Sequence, residues 1–179
     1  MDRYVALLRG INVGGKNKLS MSELKEELKK DEFTDVVTYL NSGNVIFSSN
    51  REDPQILANK MRTRIKLGFE LDIPIHVILQ AELKELLANA PEWWGDENKE
   101  IYDNVIFMMK PLSFEVLLTE IGEPKADFER VYPYKDIVFW SFIRKEHQKT
   151  NWWAKTAKPK VKDQLTIRTA NTVRKIIDM

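Results

Sequence analysis

The sequence from residue 36 to residue 48 reads Val36-Val37-Thr38-Tyr39-Leu40-Asn41-Ser42-Gly43-Asn44-Val45-Ile46-Phe47-Ser48. Two runs of β-branched and aromatic residues flank a short polar segment that ends in glycine, and this pattern predicts a β-hairpin. A helix is predicted directly before the hairpin, and a strand before that helix. This order favours a split βαβ unit over the parallel sheet of a doubly wound fold.

The elements on both sides of the hairpin complete one such unit. A strand covers about residues 3–8, and a helix begins at Ser20, which starts a capping-box pattern. A second helix begins at the N-cap Asp53 and is expected to end at Gly68. A strand over residues 73–79 follows. The first half therefore has the order strand, helix, strand, strand, helix, strand.

The same order of elements repeats in the second half. Strands are predicted over 105–109, 128–132, 137–143 and 165–168, with helices from Ser113, over 152–157 and over 171–177. The predicted fold class is α+β, with two ferredoxin-like (split βαβ) subdomains, also called α-β plaits. Each would have an antiparallel sheet with helices packed on one face. The predicted bounds are 1–80 for the N-terminal subdomain, 81–102 for a connecting helix and loop, and 103–179 for the C-terminal subdomain with its final helix.

Composition indicates a globular protein, because 43% of the 179 residues are hydrophobic and 31% are charged. No apolar run reaches the length of a membrane span, and the first residues lack the pattern of a signal peptide. Cysteine is absent, which excludes disulfides, thiolate zinc sites and cysteine nucleophiles. We therefore expect a cytoplasmic protein with no membrane partner.

Charge is distributed unevenly along the chain. Residues 1–20 carry four Lys or Arg residues and one Asp, and residues 144–179 carry ten Lys or Arg and three acidic residues, whereas the middle is acidic. Basic ends suggest an anionic partner if the two ends meet in space. Solvated faces that differ in sign would give the same pattern.

A glycine-rich loop lies between the first strand and the helix that begins at Ser20. Backbone N–H groups at Gly14 and Gly15, together with the side chains of Arg9 and Lys16, could hold a phosphate or a carboxylate. Alternatively, the glycines only permit positive φ angles in a long connection.

The loop also resembles the G-x-x-x-x-G-K pattern of a nucleotide-binding P-loop. However, Asn17 replaces the Ser or Thr that would bind Mg²⁺, and Lys16 precedes the helix start. A nucleotide triphosphatase is therefore disfavoured.

The predicted binding site combines this loop with the hairpin turn. In a split βαβ unit the first and third strands are antiparallel neighbours, so the end of one lies beside the start of the other. The site would be closed by an arginine of the second subdomain. The predicted ligand-binding residues are Arg9, Gly10, Asn12, Gly14, Gly15, Lys16, Asn17, Ser42, Gly43, Asn44 and Arg168. Turn chemistry alone also explains the residues of the hairpin.

Other function classes remain open. Trp152-Trp153 lies among several lysines, a composition that can bind nucleic acid. The favoured interpretation is that one Trp anchors a helix to the core while the lysines are solvated. A non-catalytic interaction protein, such as a homodimer, is a further alternative. His76 and His147 are isolated in the sequence, so no metal site is predicted. The cofactor, the ligand and any catalysed reaction are unknown from the sequence.

Residues 3–17, Met21 and residues 38–47 closely resemble the bacterial family catalogued as domain of unknown function 1697. The resemblance extends over nearly the whole chain and implies two ferredoxin-like subdomains, but it implies no activity. Near the C-terminus Arg168 matches the family's usual Thr-Thr-Arg-Asn stretch, whereas Thr169 stands where the family has Asn. A ligand held by that Asn would be held differently here.

Overall fold

The computed structural model describes residues 1–179, which form two compact units. The first unit comprises Met1–Lys84 together with Ile176–Met179, and the second comprises Glu85–Lys175. Each unit contains one four-stranded sheet in which every pair of neighbouring strands is antiparallel. The α+β fold with two split βαβ subdomains is therefore confirmed.

The first sheet has the strand order β2-β3-β1-β4. Its strands are β1 Asp2–Leu8, β2 Thr34–Tyr39, β3 Asn44–Ser49 and β4 Ile75–Leu79, and the helices are α1 Met21–Leu28, α2 Pro54–Phe69 and α3 Gln80–Ala88. Alternate residues of β1 face α1 and α2, since side chains alternate across a strand. These core residues include Tyr4, Ala6 and Leu8 of the strand with Leu24, Leu28, Leu57, Met61 and Ile65 of the helices.

The ends of these helices follow local signals, with one exception. The Ser20 hydroxyl accepts a hydrogen bond from the Glu23 N–H at 3.3 Å, as expected of an N-cap. Gly68 lies inside α2, and Glu70 takes the left-handed conformation at the helix end. A Cβ at Gly68 would lie 2.9 Å from the Glu27 side chain of α1. The expectation that Gly68 ends the helix is therefore wrong, because α2 continues to Phe69. The glycine instead allows α1 and α2 to approach closely.

The second sheet has the order β6-β7-β5-β8, which matches the first. Its strands are β5 Ile101–Met108, β6 Glu129–Tyr134, β7 Ile137–Ile143 and β8 Leu165–Thr169, and its helices are α4 Phe114–Ile121, α5 Trp152–Lys155 and α6 Ala170–Ile176. The link from β7 to β8 has two 3₁₀ segments and the short α5 in place of one long helix. No helix of the chain combines the length and the apolar character needed to cross a membrane.

A buried carboxylate holds this irregular link against the sheet. Glu129 is 3% exposed and accepts four N–H hydrogen bonds. The donors are the backbone of Lys125 at 3.0 Å, the indole of Trp140 at 3.1 Å, and the backbones of Asn151 at 2.5 Å and Trp152 at 3.3 Å. Four donors compensate the cost of burying this carboxylate. Two of them, the N–H groups of Asn151 and Trp152, hold the start of the short α5 against the sheet.

Candidate functional site

The glycine-rich loop and the hairpin turn meet at one end of the first sheet. The register places Leu7 of β1 opposite Asn44 of β3. The Leu8 N–H also donates to the Gly43 carbonyl at 2.8 Å. The end of β1 and the start of β3 therefore share an edge, as the antiparallel topology predicts.

The glycine-rich loop forms a tight hairpin of its own. The Lys16 N–H donates to the Val13 carbonyl at 3.0 Å, and the intervening Gly14 and Gly15 have φ angles of 57° and 74°. Two positive φ angles inside such a bond define a type I′ turn, which strongly favours glycine. The turn geometry alone thus accounts for both glycines. Gly14, Gly15 and Lys16 lie at the exposed tip.

Asparagine side chains fasten this hairpin to the sheet. The Asn12 amide donates to the carbonyls of Leu19 and Asn41, both at 2.9 Å, and its oxygen accepts from the Leu19 N–H at 2.8 Å. The Asn17 amide donates to the Gly10 carbonyl at 2.9 Å. Both asparagines were predicted as ligand groups. The Asn12 bond to Asn41 joins the glycine hairpin to the turn that follows β2, whereas the Asn17 bond lies within the glycine-rich loop.

Gly43 allows the turn to pack directly on the end of β1. Its φ angle is 89°, and a Cβ there would lie 2.7 Å from the Leu8 Cβ and 2.8 Å from Ile11 Cδ1. No side chain fits at such distances without movement of the neighbours. The close approach places Ser42 and Asn44, on either side of Gly43, at the end of β1.

We define Arg9, Ser42, Asn44 and His76 as the sheet-end cluster. Asn44 and His76 are both paired with Leu7, one on each side of β1, so they project from the face opposite α1 and α2. The Arg9 N–H donates to the Pro74 carbonyl at 3.0 Å. The Asn44 amide donates to the Ser42 hydroxyl at 3.2 Å. Asn44 is buried, and Arg9 and His76 are partly buried.

His76 is the member of this cluster that sequence reasoning missed. It alternates with the buried Ile75 and Val77 in β4, which marks it as facing the other side of the sheet. His76 and Asn44 lie on the two strands that flank β1, both opposite Leu7. This placement depends on the register of three strands, which cannot be read from the sequence. No group of three or more His, Asp or Glu side chains is arranged to hold a metal ion.

Arg168, the predicted arginine of the second unit, lies in β8 opposite Val105. It is 7% exposed, so its charge requires hydrogen-bond partners. Its guanidinium donates to the Thr166 hydroxyl at 2.8 Å and to the Ile167 carbonyl at 2.9 Å. Both of these acceptors belong to β8, the strand of Arg168 itself.

The basic C-terminal part contains one buried and one exposed tryptophan. Trp152 is fully buried, which confirms that one Trp anchors the helix, and Trp153 is 44% exposed. The ammonium of Lys155 donates to the Ile121 carbonyl, and that of Lys158 to the Glu120 carbonyl, both at 3.0 Å. These two lysines therefore satisfy carbonyls at the end of α4.

The model of a family described as "Protein of unknown function (DUF1697)" matches residues 1–139. The chain belongs to this family. It is also similar to a solved structure, that of conserved bacterial protein SP0830 from Streptococcus pneumoniae, with 29% identity and a TM-score of 0.84. That similarity covers 99% of this chain and 97% of the other. No curated protein matches the sequence.

Proposed function

We propose that the protein binds a small anion bearing a phosphate or a carboxylate at the sheet end of its first unit. The position of Arg9 carries this proposal. Arg9 directly follows β1, is partly buried, and has its backbone fixed to Pro74. A guanidinium fork is the side chain best suited to bind carboxylates and phosphates in a bidentate manner.

Polar groups of the sheet-end cluster complement this cation. The Asn44 amide donates to the Ser42 oxygen, so the Ser42 hydroxyl hydrogen is directed away from Asn44. An imidazole such as that of His76 donates a hydrogen bond in either protonation state. The proposed anion would therefore bind beside Arg9 at the end of β1, where Ser42, Asn44 and His76 are its polar neighbours.

The tip of the glycine hairpin supplies a second set of donors. The amides of Gly14 and Gly15 make no hydrogen bond within the chain, and the Lys16 ammonium is exposed in the same turn. Asn12 fastens this hairpin to the sheet end. The tip could thus close on the distal part of a ligand whose anionic group binds Arg9.

A thermal-shift series tests the proposal. The anions are inorganic phosphate, a nucleoside monophosphate, a sugar phosphate and citrate. A ligand at about a hundred times its Kd stabilises by roughly 2.7 kcal/mol, which is a rise in Tm of about 5–11 °C at this chain length. Arg9→Ala and Lys16→Ala should reduce the rise. Lys18→Ala removes the same charge from the same loop outside the predicted site and should leave it unchanged.

Two results would contradict the proposal. One is that no anion raises the Tm of the unmodified protein. The other is an equal loss in Lys16→Ala and Lys18→Ala with no loss in Arg9→Ala, because general screening of positive charge would then explain the effect.

A second candidate is nucleic-acid binding through the surface around Trp153. This exposed ring lies 5.0 Å from the His147 ring, and Lys149 follows in the same 3₁₀ segment. Stacking on an aromatic ring with cations nearby suits single strands. Binding of a short oligonucleotide should then fall steeply with salt and weaken in Trp153→Ala. Binding that is insensitive to salt would contradict this candidate.

A further inference from the structure

The second unit contains a polar cavity separate from the site proposed above. Its volume is about 570 Å³, within the usual range of small-molecule sites. The charged side chains of its lining are Asp96, Glu97, Lys99, Asp103, Arg144 and Arg174. Because all lining residues belong to the second unit, the cavity is complete within that unit.

One arginine of this cavity is held by an aromatic ring. The guanidinium carbon of Arg144 lies 4.5 Å from the centre of the Tyr102 ring. Tyr102 in turn packs edge-on against Phe142, with the ring centres 5.3 Å apart. A cation stacked on a fixed ring loses less freedom when it binds a ligand, so Arg144 is partly preorganised.

The other arginine is held by a glycine and a second ring. Arg174 donates to the Gly95 carbonyl at 2.5 Å, and its guanidinium carbon lies 5.6 Å from the centre of the Trp94 ring. Trp94 is itself fixed by a hydrogen bond from its indole to the Asn104 carbonyl at 2.8 Å. A Cβ at Gly95 would collide with the guanidinium, so the absence of a side chain there allows Arg174 its position.

The charges around the cavity favour a ligand with charges of both signs. Arg144, Arg174 and Lys99 are basic, whereas Asp96, Glu97 and Asp103 on the same lining are acidic. A polyanion would be attracted by the first group and repelled by the second. A molecule with a carboxylate and an ammonium at opposite ends can satisfy both.

We propose that this cavity binds a short zwitterionic peptide, with its carboxylate on Arg144 and Arg174 and its ammonium on Asp96 and Glu97. Guanidinium forks match a terminal carboxylate, and carboxylates match a terminal ammonium. The cavity volume suits a ligand of two or three residues, since it exceeds what a single amino acid fills. This site is distinct from the anion site of the first unit.

Isothermal titration with dialanine and trialanine tests the proposal, with their N-acetylated and C-amidated forms as matched ligands. The free peptides should bind, and each blocked form should bind about tenfold more weakly or worse, because it lacks one charge-assisted contact. Arg144→Ala should raise the Kd by a similar factor. Gly95→Ala should also raise it, by displacing Arg174.

Lys145→Ala is the matched control variant, since Lys145 neighbours Arg144 in sequence but does not line the cavity. It should leave the Kd unchanged, as should Arg9→Ala in the other unit. Circular dichroism of each variant checks that it is folded. No binding of either free peptide would overturn the proposal. Equal binding of the free and N-acetylated peptides would also overturn it, because a carboxylate alone would then suffice.

Discussion

Replacing Gly43 by alanine should destabilise the sheet end of the first unit strongly. Gly43 has a φ angle of 89°, and the added Cβ would lie 2.7 Å from the Leu8 Cβ and 2.8 Å from Ile11 Cδ1. Leu8 and Ile11 are fully or almost fully buried, so neither can move into solvent. The Leu8 N–H also donates to the Gly43 carbonyl, so relief by backbone movement would strain that bond.

Two terms add to the magnitude. A residue with a Cβ in the left-handed region costs about 1–2 kcal/mol. Inserting a methyl group into a packed site costs a further 1–3 kcal/mol or so. The expected loss is therefore about 2–5 kcal/mol, against a total stability of roughly 5–15 kcal/mol for a natural protein. The corresponding fall in Tm is about 4–20 °C.

Urea unfolding followed by far-ultraviolet circular dichroism, which reports on the backbone of both units, measures this loss, and Gly14→Ala is the matched control. Gly14 has a φ angle of 57°, and nothing lies within 4 Å of a Cβ built there. It should lose only the backbone term of about 1–2 kcal/mol. Equal losses in the two variants would refute the reasoning, because they would show that the packing of Gly43 against β1 contributes nothing.

Two further predictions concern carboxylates. Glu129→Gln should lower the free energy of unfolding by about 2–3 kcal/mol in urea, because the four N–H donors around Glu129 would face an amide with one acceptor oxygen; an unchanged midpoint would contradict this. The hydrogen bond from Arg64 lowers the pKa of Asp31 below its ordinary value of 3.8. A carboxyl group whose pKa is lower in the folded than in the unfolded protein stabilises the fold at pH values above its unfolded pKa. That stabilisation is lost as the pH falls through the pKa of the folded protein. Urea midpoints measured below about pH 4 should therefore fall less steeply with pH in Asp31→Asn than in the unmodified protein; parallel curves would contradict the assignment.

The topology was predictable because its signals are local. The hairpin 36–48 and the cap at Ser20 each act within a few residues, and together they set the order of elements. The role of Gly68 was not predictable from nearby residues, because it is set by Glu27 on a different helix. The irregular link after β7 was also not predictable, because it is stabilised by Glu129 of β6, which is remote from the link in sequence.

The candidate site was also predictable only in part. That the glycine loop and the hairpin turn lie at one edge follows from antiparallel pairing, which the element order already implies. His76 joins Arg9 and Asn44 only through strand register, and register depends on packing that the sequence does not display. A histidine isolated in sequence is therefore no guide to isolation in space.

Several of the predicted site residues have structural roles that do not depend on a ligand. Gly14 and Gly15 satisfy a type I′ turn, Gly43 satisfies a close approach, and Asn12 fastens a loop, so none of them requires a ligand to explain it. Arg9 differs from them in chemistry, because a guanidinium binds a phosphate or a carboxylate through both its charge and its N–H donors. For this reason Arg9→Ala tests the proposed anion site more directly than any glycine substitution, because a glycine variant would alter the fold and the site together.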